Sequence, residues 1–262
     1  MLSRNLQLIL EYDGTPYAGW QKQRDLETVQ GTLEDKIFQV TGHPVDVLVA
    51  GRTDAGVHAL GQAASFRTTS PLSVTQLRRV VNQYLPHSIR VVKIREMPAE
   101  FHATYHASAK LYRYVLRNSV DYTVFDRDYY YQVRRPLNIA WMRKAARQLE
   151  GSHDFTAFRG SLGKWANPVR VLKKIRVIPK GNEVHLEFLG VSFLHQMVRI
   201  LSGTLVYAGW GKIRAEDIGA IFKSKDRRES RPTLPSNGLF LVKVFYPKKF
   251  PLVKLKPKRE EE

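Results

Sequence analysis

The order of apolar patterns along the chain constrains its fold more than any other feature of the sequence. Four runs in the N-terminal part have the apolar character typical of strands: residues 5–13, 45–50, 62–68 and 89–95. Two helical patterns lie between them. One runs from Thr28 to Val40, and the other begins after the capping residue Ser73 and runs to about Gln83. The resulting order, β-α-β-β-α-β, predicts a ferredoxin-like α+β unit.

A second half begins near Phe101 and roughly repeats this plan, without a detectable repeat of sequence. Strands are predicted at residues 109–117, 128–133, 170–178, 183–190 and 239–246, and helices at 138–149, 194–207 and 214–223. We therefore expect two α+β halves, residues 1–105 and 106–247. The basic tail, residues 248–262, is expected to be mobile.

The charge of the chain indicates a polyanionic partner. Lys and Arg number 42 against 24 Asp and Glu, which gives a formal net charge of +18. Self-repulsion at this charge destabilises a compact fold, so the charge is expected to serve binding, and nucleic acid is the commonest polyanion. A basic protein without such a partner is the alternative. A membrane surface fits less well, because no basic amphipathic helix stands apart from the predicted fold.

Composition and histidine spacing argue against a metal or redox centre. The chain has no cysteine, which excludes disulfides, thiolate nucleophiles, Cys-ligated zinc and iron–sulfur clusters. His102 and His106 are four residues apart, but no helical pattern surrounds them and the glutamate of a zincin is absent. His153 and His195 are expected to be structural. We predict no metal and no cofactor.

No segment of the sequence has the character of a membrane anchor or a signal peptide. Its apolar runs are shorter than the roughly 18 residues of a membrane span. The N-terminal stretch MLSRNLQLILEYDG has too short an apolar run for a signal peptide. We expect a cytoplasmic protein.

The loop AGRTDAGVHALGQ, residues 50–62, is the most informative stretch for chemistry. Its three glycines permit close approach of a ligand, and Arg52, Asp54 and His58 lie among them. A polar loop held by two apolar strands is a common way to carry a site. The alternative is an aspartate that hydrogen-bonds its own loop backbone, and the residues alone leave both open.

Two further segments carry candidate site residues. In the strand around Lys110 and Tyr112, a basic residue beside tyrosines suits phosphate contact and base stacking, although tyrosines also serve a half-buried sheet face. In HQMVRILSGTL, His195 and Arg199 belong to a polar stripe on an apolar predicted helix. A partly buried arginine there would need an anion, and Asp54 is the candidate that it would hold ionised and oriented. An arginine at the rim with its head in water is the alternative.

Several motifs, in this order, resemble those of the tRNA pseudouridine synthase A family. They are EYDGTPYAGWQKQ (11–23), VAGRTDAGVHALGQ (49–62), FHATYHASAKLYRY (101–114), GSHDFTAFR (151–159), GVSFLHQMVRILSGTL (190–205) and GLFLVKVFYP (238–247). The resemblance covers about residues 5–247, and the block around Asp54 is its most specific part.

The resemblance implies roles for individual residues. Asp54 corresponds to the family's essential catalytic aspartate, and Arg199 to the basic residue paired with it. Tyr112 corresponds to the tyrosine that stacks on the uracil, and Arg52 to the arginine linked to displacing the target base.

Further substrate contacts are predicted around these residues. Leu239, or alternatively Leu241, stands where the family supplies an apolar wall to the pocket. Lys110 and His58 are also predicted to bind substrate. Four arginines are expected to follow RNA phosphates rather than read bases: Arg78, Arg79, Arg134 and Arg135.

The resemblance also implies a fold, a reaction and an assembly. The fold has two α+β halves that share a mixed, mainly antiparallel sheet with a central basic cleft. The expected activity is isomerisation of uridine to pseudouridine at tRNA positions 38, 39 and 40 in the anticodon stem-loop, with base flipping, by a homodimer without a cofactor. The other hypotheses are an RNA-binding module without catalysis, and a glycosidase or nuclease.

Overall fold

The first half of the chain folds into the predicted ferredoxin-like unit. The computed structural model describes residues 3–161 and 167–250. Its first elements are β1 (Arg4–Tyr12), α1 (Val29–Thr41), β2 (Leu48–Val49), β3 (His58–Thr68), α2 (Val74–Tyr84) and β4 (Ile89–Met97). The strands lie in the order β4-β1-β3-β2, and every neighbouring pair is antiparallel. This order and direction confirm the β-α-β-β-α-β prediction.

Capping residues in the sequence explain where the first two helices begin and end. The Thr28 side chain accepts a hydrogen bond from the Gly31 backbone at the start of α1, and the helix ends at Gly42 with φ +74. The start of α2 is a capping box, in which Ser73 and Gln76 each bond to the other's backbone N–H. The predicted cap at Ser73 is therefore confirmed.

The second half repeats the topology of the first. Its elements are β5 (Ala109–Arg117), β6 (Tyr131–Gln132), α3 (Ile139–Leu149), β7 (Gly151–Asp154), β8 (Val169–Lys180), β9 (Glu183–Gly190), α4 (Met197–Gly209), α5 (Asp217–Ser224) and β10 (Leu239–Phe245). The strands β10, β5, β9 and β8 lie side by side and antiparallel, in the positions that β4, β1, β3 and β2 hold in the first half. The boundary at residues 105 and 106 stays a prediction.

A parallel pairing of β3 with β10 joins the two halves into one ten-stranded sheet. Phe240 lies opposite His58 and Leu241 opposite Ala59, whereas β2 pairs with the other end of β3. The fold is therefore α+β with a mixed, mainly antiparallel sheet, as predicted. The join places the beginning of β10 beside the loop that carries Asp54.

Several element boundaries differ from the sequence prediction. Strand β3 begins at His58 rather than at residue 62, because this glycine-containing end pairs with β1 and β10. Strand β7 was not predicted, since its sequence GSHD is short and polar. Helix α4 begins at Met197 because Gln196 has φ +56, so His195 precedes the helix. The predicted tail falls mainly on residues 251–262, which lie outside the described residues.

Buried apolar residues from both halves form one continuous core along the shared sheet. The apolar side chains of α4 belong to it, which matches the helix's strongly apolar sequence. In the part of the chain that the structure describes, no helix has the length and apolar character to cross a membrane.

The close contact between β3 and β10 predicts that a side chain at Gly61 destabilises the fold. A Cβ atom on Gly61 would lie 2.4 Å from the Val242 carbonyl oxygen, so the backbones would have to separate. We expect Gly61→Ala to lower the free energy of unfolding by roughly 1–3 kcal/mol, measured by chemical denaturation. Gly219→Ala in α5 is the control, because nothing lies within 4 Å of its added Cβ. An alanine there should leave stability unchanged or raise it by up to about 1 kcal/mol. Equal effects at both sites would contradict the close contact at the join.

Candidate active site

A cavity of about 1800 Å³ opens where the two halves meet. It is larger than the roughly 300–1000 Å³ of ordinary small-molecule pockets, so it can admit part of a polymer. Six residues predicted to act in catalysis or substrate binding line it: Arg52, Asp54, Lys110, Tyr112, Arg199 and Leu239. The lining contains four Arg or Lys side chains and three carboxylates, so the cleft is basic by a small margin.

The loop that carries Asp54 is held by the segment between β1 and α1. The backbone N–H of Trp20 donates to the Thr53 carbonyl at 3.0 Å, and a Cβ on Gly19 would lie 2.8 Å from that oxygen. The Thr53 hydroxyl forms a 2.8 Å hydrogen bond with the Tyr12 hydroxyl. Burial raises the pKa of Tyr12 to about 12, so this phenol stays protonated. The contacts with Trp20 and Tyr12 therefore fix the loop backbone, while the Asp54 side chain lines the cavity and is 30% exposed.

An ion pair connects Asp54 with Arg199. Nη1 of Arg199, in the first turn of α4, lies 3.3 Å from Oδ2 of Asp54. Its Nε donates to the Leu234 carbonyl at 2.7 Å, and the side chain is only 15% exposed. The predicted contact is present, and the alternative of an arginine with its head in water does not hold. The two bonds of the guanidinium fix the direction from which it approaches the carboxylate.

His195 is a second neighbour of Asp54 that sequence reasoning treated as structural. Its Nε2 lies 3.7 Å from Oδ1 of Asp54. The Gly160 N–H donates to the His195 carbonyl at 2.9 Å, and the ring packs on Gly160, where a Cβ would lie 2.5 Å from Nδ1. The available signal was the shared stripe of His195 and Arg199 in HQMVR. This signal could not be interpreted correctly from the sequence, because the positive φ of Gln196 places His195 outside the helix.

Tyr112 lies on β5 and lines the same cavity. Its side chain is 7% exposed, and the Phe193 ring packs edge-on against it with centroids 5.0 Å apart. Burial raises the pKa of Tyr112 far above its ordinary value, and the nearby Tyr12 and Asp54 raise it further. The phenol is therefore protonated at neutral pH, and what it offers a ligand is a ring face or edge and a neutral hydroxyl.

The remaining cavity residues differ in exposure and charge. Arg52 is exposed and Leu239 is buried at the start of β10, whereas Leu241 is buried outside the cavity lining. This favours Leu239 over Leu241 as the pocket wall. Burial, followed by the nearby positive charge of Arg170, lowers the pKa of Lys110 to about 8.

The structure places His58, which was predicted to bind substrate, away from the cavity, so its contact with substrate stays a prediction. Its side chain is 1% exposed and lies outside the cavity lining. The Gly14 N–H donates to Nδ1 at 3.1 Å, and Nε2 lies 2.9 and 3.0 Å from the carbonyl oxygens of Asp128 and Asn237. The ring also stacks on Phe240 at 4.7 Å. His58 therefore ties the β3–β10 join to three segments, at Gly14, Asp128 and Asn237, and both ring nitrogens are used in doing so.

The four arginines predicted to follow phosphates lie outside the cavity. Arg78, Arg79, Arg134 and Arg135 are all exposed, and none lines it. Arg78 donates to the Val92 carbonyl at 3.3 Å, and Arg135 to the Trp210 carbonyl at 3.5 Å. Their contact with RNA stays a prediction.

The two histidines of FHATYH accept backbone hydrogen bonds. The His102 N–H donates to Nδ1 of His106 at 2.9 Å, and the Thr104 N–H donates to Nδ1 of His102 at 3.2 Å. Across residues 3–161 and 167–250, no three potential metal ligands among His, Asp and Glu are grouped to hold an ion.

The fold and the site together define a two-lobed α+β protein that presents an arginine-paired carboxylate in a polymer-sized cleft. A family model described as tRNA pseudouridine synthase matches residues 8–106 and 145–247. Similar curated proteins include tRNA pseudouridine synthase A of Acetivibrio thermocellus, 42% identical over 243 residues, and that of Thermoanaerobacter pseudethanolicus, 40% identical over 243 residues. Each of these alignments covers 93% of this chain and 100% of the relative.

A third relative, tRNA pseudouridine synthase A 2 of Clostridium tetani, is 38% identical over 247 residues, which is 94% of this chain and 100% of the relative. The chain belongs to the tRNA pseudouridine synthase family, an isomerase family. The resemblance noted from the motifs is thereby confirmed.

The Asp54–Arg199 pair predicts that removing Arg199 lowers the stability of the fold more than removing an exposed arginine does. Arg199→Ala leaves the carboxylate and the Leu234 carbonyl without their donor, so we expect the free energy of unfolding to fall by roughly 1–3 kcal/mol. The loss should be smaller in an Asp54→Ala background, because part of the interaction is already absent. Arg79→Ala, on the exposed face of α2, is the control and should change stability by less than about 0.5 kcal/mol. Equal losses for Arg199→Ala in both backgrounds would argue against the pair.

The lowered pKa of Lys110 predicts a characteristic dependence of stability on pH. Below about pH 8 the buried amine is charged in both the folded and the unfolded chain, so the full cost of burying the charge applies. Between pH 8 and 10 the folded amine loses its proton first and this cost disappears. Wild type should therefore gain roughly 1–3 kcal/mol relative to Lys110→Met over this interval, measured by denaturation. Lys93→Met, at an exposed position of β4, should follow wild type. A constant difference between wild type and Lys110→Met would show that the amine titrates normally.

Proposed function

We propose that this protein isomerises uridine to pseudouridine at positions 38, 39 and 40 in the anticodon stem-loop of tRNA, with Asp54 as the essential catalytic group. The observation that supports this most is the arginine-held carboxylate of Asp54 in a cleft large enough for an RNA segment, beside the Tyr112 ring. The tRNA positions rest on the resemblance of the motifs around Asp54, Tyr112 and Arg199.

The reaction that we propose needs no oxidant, reductant or energy source. The C1′–N1 bond breaks, the uracil turns, and a bond forms between C1′ and C5. The C5 proton leaves, and N1 takes up a proton, so strand length and mass are unchanged. Asp54 begins the reaction on the exposed nucleoside by attack at C1′, addition to C6, or removal of a sugar proton. All three routes require a carboxylate that is held in one orientation, and the Arg199 contact supplies that orientation.

The target uridine has to leave its stack before Asp54 can reach it. Extruding a base costs a few kcal/mol, and contacts with the extruded base and with the gap it leaves offset that cost. In the proposed complex the uracil lies against the buried Tyr112 ring and the Leu239 wall. Arg52, exposed on the same loop as Asp54, is suited to hold the displaced strand.

Binding of the rest of the tRNA is assigned to the outer surface. We propose that Arg78, Arg79, Arg134 and Arg135 follow phosphates, because they are exposed and contribute to a chain with a net charge of +18. The proposal includes a homodimer acting in the cytoplasm, where tRNA is modified. The support for the dimer is the family resemblance.

The role of Asp54 is tested with tRNA that carries tritium at C5 of uracil. Wild type should release the label as the C5–H bond breaks. Asp54→Asn should lower the release rate by about 10³-fold or more while still binding tRNA, because the amide cannot act as nucleophile or base. Asp35→Asn, on the exposed face of α1, is the control and should keep full activity.

The other outcomes identify the competing functions. Full label release by Asp54→Asn would remove this residue from its role. Tight, salt-sensitive binding without release by wild type would indicate an RNA-binding module. Free uracil or a cut strand would indicate a glycosidase or a nuclease.

A further inference from the structure

Two neighbouring cationic side chains, Lys110 in the cavity lining and Arg170 just outside it, form no ion pair among the described residues. Lys110 lines the cavity, and its Nζ lies 2.9 Å from the position that a Cβ on Gly51 would take, so the amine packs against the Asp54 loop. Arg170, on β8, uses Nη1 to bond the carbonyl oxygens of Asn167 and Val169, and its buried Nε has no partner among the residues that the structure describes. Within the described ranges neither side chain forms an ion pair with a carboxylate.

The sheet register places both cations on one face. Lys110 on β5 lies opposite Gly190 on β9, and Gly190 lies opposite Leu172 on β8. Arg170 is two residues from Leu172 on the same strand, so its side chain leaves the same face of the sheet as that of Lys110. Strand β9, which lies between β5 and β8, has Gly190 at this position. Because Gly190 has no side chain, the side chains of Leu172 and Phe193 pack over it.

The electrostatics of this pair favour an anion. Burial lowers the pKa of both Lys110 and Arg170, and the charge on Arg170 adds to the effect on Lys110. Two like charges, each partly removed from water and with no carboxylate of the described ranges to balance them, raise the free energy of the site without a ligand. An anion that contacts both side chains would restore the lost solvation and reverse both effects.

The position of Tyr112 indicates which anion would reach this site. Tyr112 is two residues from Lys110 on the same face of β5, which is about 6.6 Å along the strand. This is about the reach from a base to the phosphate of the same nucleotide. A uracil held against Tyr112 beside Asp54 would therefore bring its backbone phosphate to Lys110.

We infer that Lys110 and Arg170 form a seat for the phosphate that flanks the target uridine. This inference deepens the proposed function and rests on it. The seat would fix the sugar–phosphate backbone of the extruded nucleotide and so set how far the ribose C1′ stands from Asp54. It differs from the exposed arginines, which would hold the tRNA body at many phosphates.

The test uses a synthetic anticodon stem-loop with one target uridine, labelled with tritium at C5. A neutral methylphosphonate replaces the phosphate either on the 5′ or on the 3′ side of that uridine. With wild type, one of the two replacements should lower kcat/KM by about tenfold or more, because a buried charge-assisted bond is lost. Lys110→Met should lower kcat/KM on the ordinary RNA by a similar factor.

The decisive result is the combination of changed protein and changed RNA. On the sensitive methylphosphonate RNA, Lys110→Met and Arg170→Met should lose no more than about twofold beyond wild type, since the partner is already gone. Lys110→Arg, which keeps the charge, should retain most activity on the ordinary RNA. Lys93→Met is the matched control and should show the full methylphosphonate effect.

Each other outcome overturns the inference. If the losses from Lys110→Met and from the neutral linkage multiply, the lysine acts elsewhere, for example as a proton acceptor. If wild type is insensitive at both flanking phosphates, no seat exists. If wild type releases no label from the ordinary stem-loop, the proposed function itself fails and the inference fails with it. The wild-type comparison of linkages needs no variant, so it stands even where a substitution impairs folding.

Discussion

The contact between Asp54 and Arg199 is the interaction on which the rest of the site depends. The carboxylate comes from the first half of the chain and the guanidinium from the second, 145 residues later. A partly exposed pair of this kind contributes little to stability through its charge alone. Its effect is geometric, because the guanidinium is also bound to the Leu234 carbonyl and the Asp54 loop packs on Gly19. The Asp54 carboxylate is therefore positioned by two backbone segments, one at Gly19 that supports its loop and one at Leu234 that supports Arg199.

The sheet brings these backbones together. Each half completes a four-stranded antiparallel unit, but β2 covers only the far end of β3. The uncovered end at His58 and Ala59 accepts β10, and the buried His58 ring ties that join to the loops at Asp128 and Asn237. Leu239 then begins β10 beside the Asp54 loop, and its neighbour β5 presents Tyr112 to the same cavity. The contacts of His58 with Gly14, Asp128 and Asn237 hold the two lobes in register, whereas its predicted contact with substrate stays a prediction.

Local patterns predicted the elements, and long-range geometry limited the prediction of the site. Helical periodicity and the Ser73 cap are short-range signals, so the element order and both ferredoxin-like units followed from the sequence. The Arg199 contact could be predicted because a cation on an apolar helix requires an anion. His195 could not, because the positive φ at Gln196 takes it off the helix. Arg170 and Lys110 are 60 positions apart on non-adjacent strands, and only the register through Gly190 brings them together.

Most of the positive charge lies outside the cavity, where it attracts RNA, whereas the cavity in which the reaction takes place is nearly neutral. The chain carries +18, yet the cavity lining holds Arg52, Arg67, Lys110 and Arg199 against Asp46, Asp54 and Glu100, a net charge of +1. Nearly all of the excess charge therefore lies outside the cavity, where phosphates of a folded RNA can reach it. A cavity as positive as the surface would favour phosphates at every position and compete with entry of a neutral uracil. In the lining, Arg199 holds the carboxylate of Asp54, and Lys110 carries a charge that no carboxylate of the described residues pairs with. Arg170 lies outside the lining but close enough to add to that charge, so the site distinguishes where a base can lie from where its phosphate can lie.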